Sequence, residues 1–242
     1  MGHEPALDRA SAKKGFPPSE GEGRIVTSAA VTIAGPDGSV LRGRLRLADG
    51  APRGAVVLCH PHPAFGGNMD VWLLPAIGQA LAADGWHVLR FDFRSVRTGV
   101  DPRGHLDGHA AERADVAAAV GHLREEGLAD GRLVVAGWSF GALVALLHGL
   151  DDERVTDWVG IAPAVAPLEE LPMSAVPVAR VRAWAARRVV VAGEHDQFFA
   201  PERMAAVSPH ALRVIGGTDH FFFDRDAEVA SAVAECLREP AP

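Results

Sequence analysis

Residues 133–141, Leu-Val-Val-Ala-Gly-Trp-Ser-Phe-Gly, join an apolar strand to an apolar helix through a Gly-x-Ser-x-Gly turn. Glycine at positions 137 and 141 allows the two backbone segments to cross without a clash at Cβ, and it places Ser139 at the apex of the turn. We interpret this turn as a nucleophile elbow, in which the Ser139 hydroxyl projects beyond the sheet. The alternative is an ordinary helix N-cap, which does not require the two glycines.

Outward from this turn, strand-like and helix-like segments alternate along the chain. Strands are predicted near 24–33, 39–48, 55–59, 87–91, 133–136, 158–161, 189–191 and 211–215. Helices are predicted near 70–84, 110–126, 140–149, 176–186, 201–207 and 225–238, the first with a start beyond 70 or a kink because of Pro75. The turn at 35–38 predicts an antiparallel hairpin, and the rest predicts an α/β fold with a mostly parallel eight-stranded sheet covered by helices on both faces.

Composition limits the domain count and the classes of partner. The chain has 242 residues, of which 48% are hydrophobic, and this favours one domain over residues 24–242. Residues 1–23 are rich in Pro, Gly, Ser and charge, and they predict a poorly ordered tail. The formal net charge of −7 disfavours nucleic acid as a partner.

Cysteine usage and hydropathy predict a cytoplasmic location. Cys59 falls in a predicted core strand and Cys236 in a terminal helix, which suits reduced thiols better than a disulfide. The N-terminus has no apolar run of signal-peptide length, and the chain has no apolar run of 18 residues. We therefore expect no membrane partner.

Groups that can catalyse acyl transfer follow three of the predicted strands. Ser139 comes first, Gly193-Glu194-His195-Asp196 follows the strand at 189–191, and Asp219-His220 follows the last strand. The carboxyl ends of parallel strands meet at one edge of a sheet, so these groups are expected to converge. A serine hydroxyl needs a base such as His220 to take its proton, and a carboxylate fixes the tautomer of that base. Asp196 is the predicted acid, with Glu194 and Asp219 as alternatives.

Hydrolysis also needs N–H donors for the oxyanion of the tetrahedral intermediate. The N–H of Phe140, directly after the serine, is the first predicted donor. The second is expected in the loop His60-Pro61-His62-Pro63-Ala64, where the prolines have no N–H and His62 is preferred to Ala64. A metal pair formed by His60 and His62 is the alternative, but no third ligand falls at a convincing spacing. No metal or other cofactor is therefore predicted.

Three further residues are candidates for contacts with the substrate. Phe65 and Trp138 would supply apolar surface, or would belong to the core. Arg94 would bind a substrate carboxylate, or would lie on a solvated loop. The short segment after residue 161 leaves no room for a large cap domain. The sequence does not give the oligomeric state.

The motifs together resemble a known family. They are His60-Pro61-His62-Pro63 with Gly66-Gly67, the run 89–94, the elbow, the run 193–196 and His220-Phe221-Phe222. They are similar to bacterial α/β-hydrolases with a His-Pro-His-Pro signature, related to the dienelactone-hydrolase and acyl-peptidase branches. The resemblance covers roughly 24–238 and implies a serine hydrolase with a small cap or none, with Ser139 as nucleophile, Asp196 as acid and His220 as base.

The resemblance leaves the substrate open. In the loop after the fourth strand this chain has Arg94-Ser95-Val96-Arg97-Thr98-Gly99, where relatives carry a glycine-rich Arg-Gly-Val-Gly pattern. We predict a carboxylesterase-like enzyme that cleaves small to medium esters through an acyl-enzyme. A peptidase or thioesterase with the same triad, and a non-catalytic interaction module on the same fold, remain as alternatives.

Overall fold

A single eight-stranded sheet organises the molecule in the computed structural model, which describes residues 28–35, 37–98, 109–165, 176–198, 204 and 207–239. The strand order is β1-β2-β4-β3-β5-β6-β7-β8. Strands β3 to β8 are parallel, whereas β2 pairs antiparallel with both β1 and β4. The mostly parallel eight-stranded sheet predicted from the sequence is therefore confirmed. The predicted tail at 1–23 lies outside the described residues.

The strands closely match the predicted segments. Their bounds are β1 Ala29–Ala34, β2 Val40–Arg46, β3 Gly54–Cys59, β4 Trp86–Phe91, β5 Arg132–Trp138, β6 Asp157–Ile161, β7 Arg187–Gly193 and β8 Ala211–Ile215. Every residue of β3 is buried, as expected for a central strand covered on both faces.

Helices cover both faces of the sheet. Their bounds are α1 Leu73–Ala83, α2 Arg94–Thr98, α3 Ala110–Glu125, α4 Phe140–Gly149, α5 Val178–Ala183 and α6 Asp226–Arg238. One apolar core lies between the sheet and the helices α3, α4 and α5, and a second lies between the sheet and the helices α1 and α6. Neighbouring residues of β5 alternate between the cores, with Val135 in the first and Val134 in the second.

The helices differ from the prediction at their ends and in the short elements. Helix α1 starts at Leu73, so Pro75 lies in its first turn, where a missing N–H removes no helical hydrogen bond. Helix α5 is shorter than predicted. The five-residue helix α2 and a 3₁₀ turn at Pro63–Phe65 were not predicted. Most of the helix predicted at 201–207 lies outside the described residues.

Candidate active site

Ser139 occupies a strained turn between β5 and α4. Its backbone has φ 55° and ψ −115°, a conformation that residues with a Cβ rarely adopt. Two hydrogen bonds hold the Ser139 backbone in this conformation. The Ser139 N–H donates to the Ile161 carbonyl at 2.8 Å, and the Ser139 carbonyl accepts from the Ala164 N–H at 3.2 Å. The end of β6 and the residues beyond it thus fix the turn from outside.

The two glycines of the motif lie where β5 and α4 cross. A Cβ at Gly137 would lie 2.3 Å from the backbone carbon of Gly141. A Cβ at Gly141 would lie 2.4 Å from the carbonyl oxygen of His60. Both distances are too short for any side chain, so glycine is required at 137 where β5 meets α4, and at 141 where α4 meets the end of β3. This geometry is the predicted elbow, and a plain N-cap would not explain it.

His220 and Asp196 form a buried pair. His220 Nδ1 lies 2.9 Å from Asp196 Oδ2, and the two side chains are 8% and 0% exposed. An ionised carboxylate only accepts hydrogen bonds, so Nδ1 carries the hydrogen and, in a neutral ring, Nε2 is left to accept a proton. Asp196 Oδ1 accepts from the Phe198 N–H at 2.9 Å, which fixes the carboxylate.

The two other carboxylates considered as the acid make different contacts. Glu194 accepts from the Gly217 N–H at 2.8 Å, and Asp219 accepts from the Phe221 N–H at 2.9 Å. The Glu194 N–H also donates to the Ile215 carbonyl at 3.0 Å. The two bonds of Glu194 tie the loop after β7 to the end of β8 and the loop that follows it. Among the three candidates, Asp196 is the one bonded to the imidazole of His220.

Trp138 links the elbow to the loop that carries His220. Its indole N–H donates to the His220 carbonyl at 3.2 Å, and its ring centroid lies 6.3 Å from that of the imidazole. The side chain is 2% exposed and belongs to the core on the α1 and α6 face. The structure therefore supports the core interpretation of Trp138, and it does not support the predicted substrate contact.

The loop after β3 lies against the start of α4. The His62 ring packs edge-on against the Phe140 ring at 4.8 Å, so the two predicted oxyanion donors belong to neighbouring residues. The Ala64 N–H donates to His62 Nδ1 at 3.2 Å. This bond engages the alternative donor Ala64. Phe140 is the first residue of α4, where a backbone N–H has no partner within the helix.

His60 has a structural role that the sequence reasoning missed. The fully buried His60 ring bonds to the Pro61 carbonyl through Nδ1 at 2.7 Å and accepts from the Phe93 N–H through Nε2 at 3.1 Å. Burial lowers the pKa of His60 to about 4, so the ring is neutral. Both ring nitrogens are therefore engaged, which argues against a metal pair with His62. The sequence signal for this role is the position of His60 directly after an apolar strand, where a buried side chain is expected.

Arg94 is held by acidic side chains of the protein itself. Its Nη2 lies 2.6 Å from Asp115 Oδ1, its Nε donates to the same oxygen at 2.8 Å, and its Nη1 lies 2.5 Å from Asp37. Asp115 is fully buried. These contacts use all three guanidinium nitrogens, so the structure does not support the predicted contact with a substrate carboxylate. Arg94 instead joins α3 to the β1–β2 turn.

Phe65 remains accessible beside the loop after β3. It is 70% exposed, and its ring lies 5.5 Å from that of His62. It stays a candidate for substrate contact.

The described ranges contain neither a metal site nor a membrane span. Within them, no three His, Cys, Asp or Glu side chains are placed to hold a metal ion. No helix found there has the length and apolar character needed to cross a bilayer.

Comparison with known proteins decides the family. Residues 50–231 match the family model described as serine aminopeptidase, S33. The chain belongs to this family. An α/β serine hydrolase homologue from Coxiella burnetii is similar in structure, with a TM-score of 0.72 and 25% identity over 89% of this chain and 100% of that chain. A serine hydrolase without a lid from Xanthomonas campestris has a TM-score of 0.70 and 25% identity, over 90% of this chain and 97% of that chain.

A third solved structure is similar in fold alone. An esterase from Pyrococcus furiosus has a TM-score of 0.69 at 17% identity, over 94% of this chain and 100% of that chain. The family and the neighbours confirm the α/β-hydrolase fold and the serine-hydrolase class that the motifs predicted. In keeping with a fold that has a minimal cap or none, only residues 162–177 lie between β6 and α5.

Proposed function

We propose that this protein is an esterase that cleaves small to medium carboxylic esters through an acyl-enzyme on Ser139. The observation that carries the proposal is the buried hydrogen bond between His220 and Asp196, joined through Trp138 to the strained elbow of Ser139. An interaction module without catalysis would not need a buried imidazole oriented by a carboxylate, or a strained serine next to the tryptophan that bonds the loop of that imidazole.

The reaction follows from the chemistry of these groups. His220 Nε2 takes the hydroxyl proton while Ser139 Oγ attacks the ester carbonyl, and Asp196 stabilises the imidazolium. The backbone N–H groups of Phe140 and His62 stabilise the oxyanion. His220 then returns the proton to the leaving alcohol, and a water molecule hydrolyses the acyl-enzyme by the same route.

A peptidase is the second candidate, because the matching family is described as a serine aminopeptidase. Esters are preferred here on two grounds. The Pyrococcus furiosus neighbour is described as an esterase. An alcohol is also a better leaving group than an amine, so an ester demands less of the same residues. The experiment below includes amide and thioester substrates to separate these possibilities.

The test is turnover of p-nitrophenyl acetate and butyrate with labelling by a fluorophosphonate probe. Ser139→Ala is expected to abolish labelling and most of the turnover, since the acyl-enzyme cannot form. Asp196→Asn is expected to lower kcat about 10⁴-fold while the fold is retained, since the amide no longer fixes the tautomer of His220. Ser231→Ala, on the exposed face of α6, is the matched control and should keep full activity.

Equal turnover by the wild type and Ser139→Ala would refute the proposal. Folded wild-type protein that neither turns over esters nor reacts with the probe would favour the interaction module. Faster turnover of aminoacyl anilides or thioesters than of matched esters would replace the esterase with a peptidase or a thioesterase.

The proposal includes a cytoplasmic location. Cys59 and Cys236 are buried free thiols in cores on opposite faces of the sheet, so they cannot pair with each other. Free thiols of this kind are typical of a reducing compartment. Cell fractionation with detection of the protein in the cytoplasmic fraction would check it, and recovery outside the cytoplasm would contradict it.

A further inference from the structure

Five aromatic rings form a closed circuit that includes the imidazole of His220. The centroid distances are 5.5 Å from His220 to Phe221, 5.6 Å from Phe221 to Phe223, and 5.0 Å from Phe223 to Trp72. Trp72 then lies 5.2 Å from Trp138, which lies 6.3 Å from His220. The circuit connects the base to a surface that the mechanism does not use.

Two rings of this circuit are exposed. Trp72 is 44% exposed and Phe223 is 60% exposed, whereas Trp138 is 2% exposed. The planes of Trp72 and Phe223 differ by only 19°, and those of Phe221 and Phe223 by 21°. Exposed aromatic rings that are already stacked offer flat apolar surface to a further ring.

The backbone around Phe223 is fixed in an unfavourable conformation. Phe222 has φ 54° and Asp224 has φ 59°, both in the left-handed region. The Phe222 side chain is fully buried in the core beside α1 and α6, and it anchors the loop. Strain of this kind is retained where the surrounding structure holds a loop in place, and it is concentrated at functional sites. The loop therefore holds Phe221 and Phe223 in a defined position beside His220.

We propose that Trp72 and Phe223 bind the alcohol part of the ester by stacking, so that the preferred substrates have an aromatic leaving group. This inference rests on the proposed esterase function. The surface continues from His220, and His220 is the group that protonates the departing oxygen. In that step the bond from the acyl carbon to the leaving oxygen breaks, and the Nε2 proton of the imidazolium passes to this oxygen. The released alcohol therefore departs beside the base and the adjoining rings.

The experiment compares substrates of equal size that differ only in aromaticity. Benzyl acetate and cyclohexylmethyl acetate vary the alcohol, and methyl phenylacetate and methyl cyclohexylacetate vary the acyl group. The readout is the ratio of kcat/KM within each pair, after division by the rates of hydrolysis by hydroxide. We expect benzyl acetate to be preferred about two- to tenfold, and the acyl pair to give a ratio near one.

Variants identify the rings responsible. Phe223→Leu and Trp72→Leu keep apolar surface but remove the ring, so each should bring the benzyl preference towards one. Val214→Ala, at an exposed site on β8, is the matched control and should keep the preference. Thermal unfolding checks that each variant is folded, and Phe223→Leu remains informative if Trp72→Leu disturbs Trp138.

Three outcomes would overturn the inference: no benzyl preference in the wild type, a preference unchanged in Phe223→Leu, or an aromatic preference on the acyl side. Failure of the proposed function looks different, because then no ester of either pair is cleaved and the fluorophosphonate probe does not react.

Discussion

Among single residues, His60 stabilises the site without a chemical role in the proposed reaction. Its two ring nitrogens join the Pro61 carbonyl to the Phe93 N–H, and so connect the loop after β3 to the residues after β4. The predicted oxyanion donor His62 lies in that loop. The position of a main-chain donor thus depends on a buried side chain two residues earlier.

The neutral state of His60 predicts a pH-dependent stability. Because burial holds the pKa of folded His60 at about 4, below the ordinary 6.5, the unfolded chain binds a proton in this interval and the folded chain does not. The stability contributed by the neutral ring is fully present well above pH 6.5 and is lost as the pH falls towards 4. Between pH 7.5 and pH 5, the free energy of unfolding should fall by about 2 kcal/mol because of this group. In His60→Gln the free energy of unfolding should fall correspondingly less over the same range, as measured by urea unfolding at both pH values. Equal losses in the two proteins would contradict the assignment.

The residues that could be predicted from the sequence are those with local signals. Ser139 lies within a five-residue motif, and Asp196 and His220 lie in the loops that follow β7 and β8. Arg94 had no such signal, since its partners Asp115 and Asp37 are 21 and 57 positions away in the sequence. Trp138 was ambiguous for the same reason, because its bond to His220 spans 82 positions.

At the level of elements, the close packing of α4 against the end of β3 requires glycine inside a helix. Gly141 lies in α4, and its missing Cβ makes room for the His60 carbonyl. Gly121 lies in α3 and has no atom within 4 Å of an added Cβ. The two glycines share a helical setting and differ in what surrounds them.

This contrast gives a matched pair of substitutions. Gly141→Ala should destabilise the protein by about 3 kcal/mol or more, because backbone must move to admit the methyl group. Gly121→Ala should stabilise it by about 0.4–1 kcal/mol, through helix propensity and a less flexible unfolded chain. Urea unfolding of both variants measures the difference. Similar changes in both would show that helix propensity, and not the close contact with the end of β3, determines the role of Gly141.

Elements with a strong hydrophobic pattern were predicted well, and short ones were not. The strands and the helices α3, α4 and α6 agree with the prediction to within a few residues at each end among the residues described. Helix α2 has five residues and the turn at Pro63–Phe65 has three, too few for a periodic pattern. Both border the candidate site, so its finer shape was beyond prediction from the sequence.

For the molecule as a whole, the C-terminal helix is fixed to the sheet through its last carbonyl groups. Arg187, at the start of β7 and 3% exposed, donates to the Cys236 carbonyl at 2.6 Å and to the Glu239 carbonyl at 3.0 Å. Arg132, at the start of β5, donates to the Leu237 carbonyl at 3.0 Å. These bonds satisfy carbonyls that have no partner within α6.

Arg187 and Arg213 provide a test of this attachment, since both also contact the Glu239 carboxylate. Arg187→Met should lower the free energy of unfolding by about 3 kcal/mol, because buried carbonyls lose their donor. Arg213 is 43% exposed, so Arg213→Met should cost less than about 1 kcal/mol. Chemical denaturation measures both. Comparable losses would mean that the carboxylate contact, and not the helix carbonyls, accounts for the effect.

The exposed indole of Trp72 gives the protein an internal optical reporter. The chain has no Tyr, and the rings of Trp86, Trp138 and Trp158 are almost completely buried. Long-wavelength emission therefore comes mainly from Trp72 and the partly buried Trp184. An aromatic alcohol that stacks at Trp72 would change this emission directly, so product binding becomes observable without a label and without turnover.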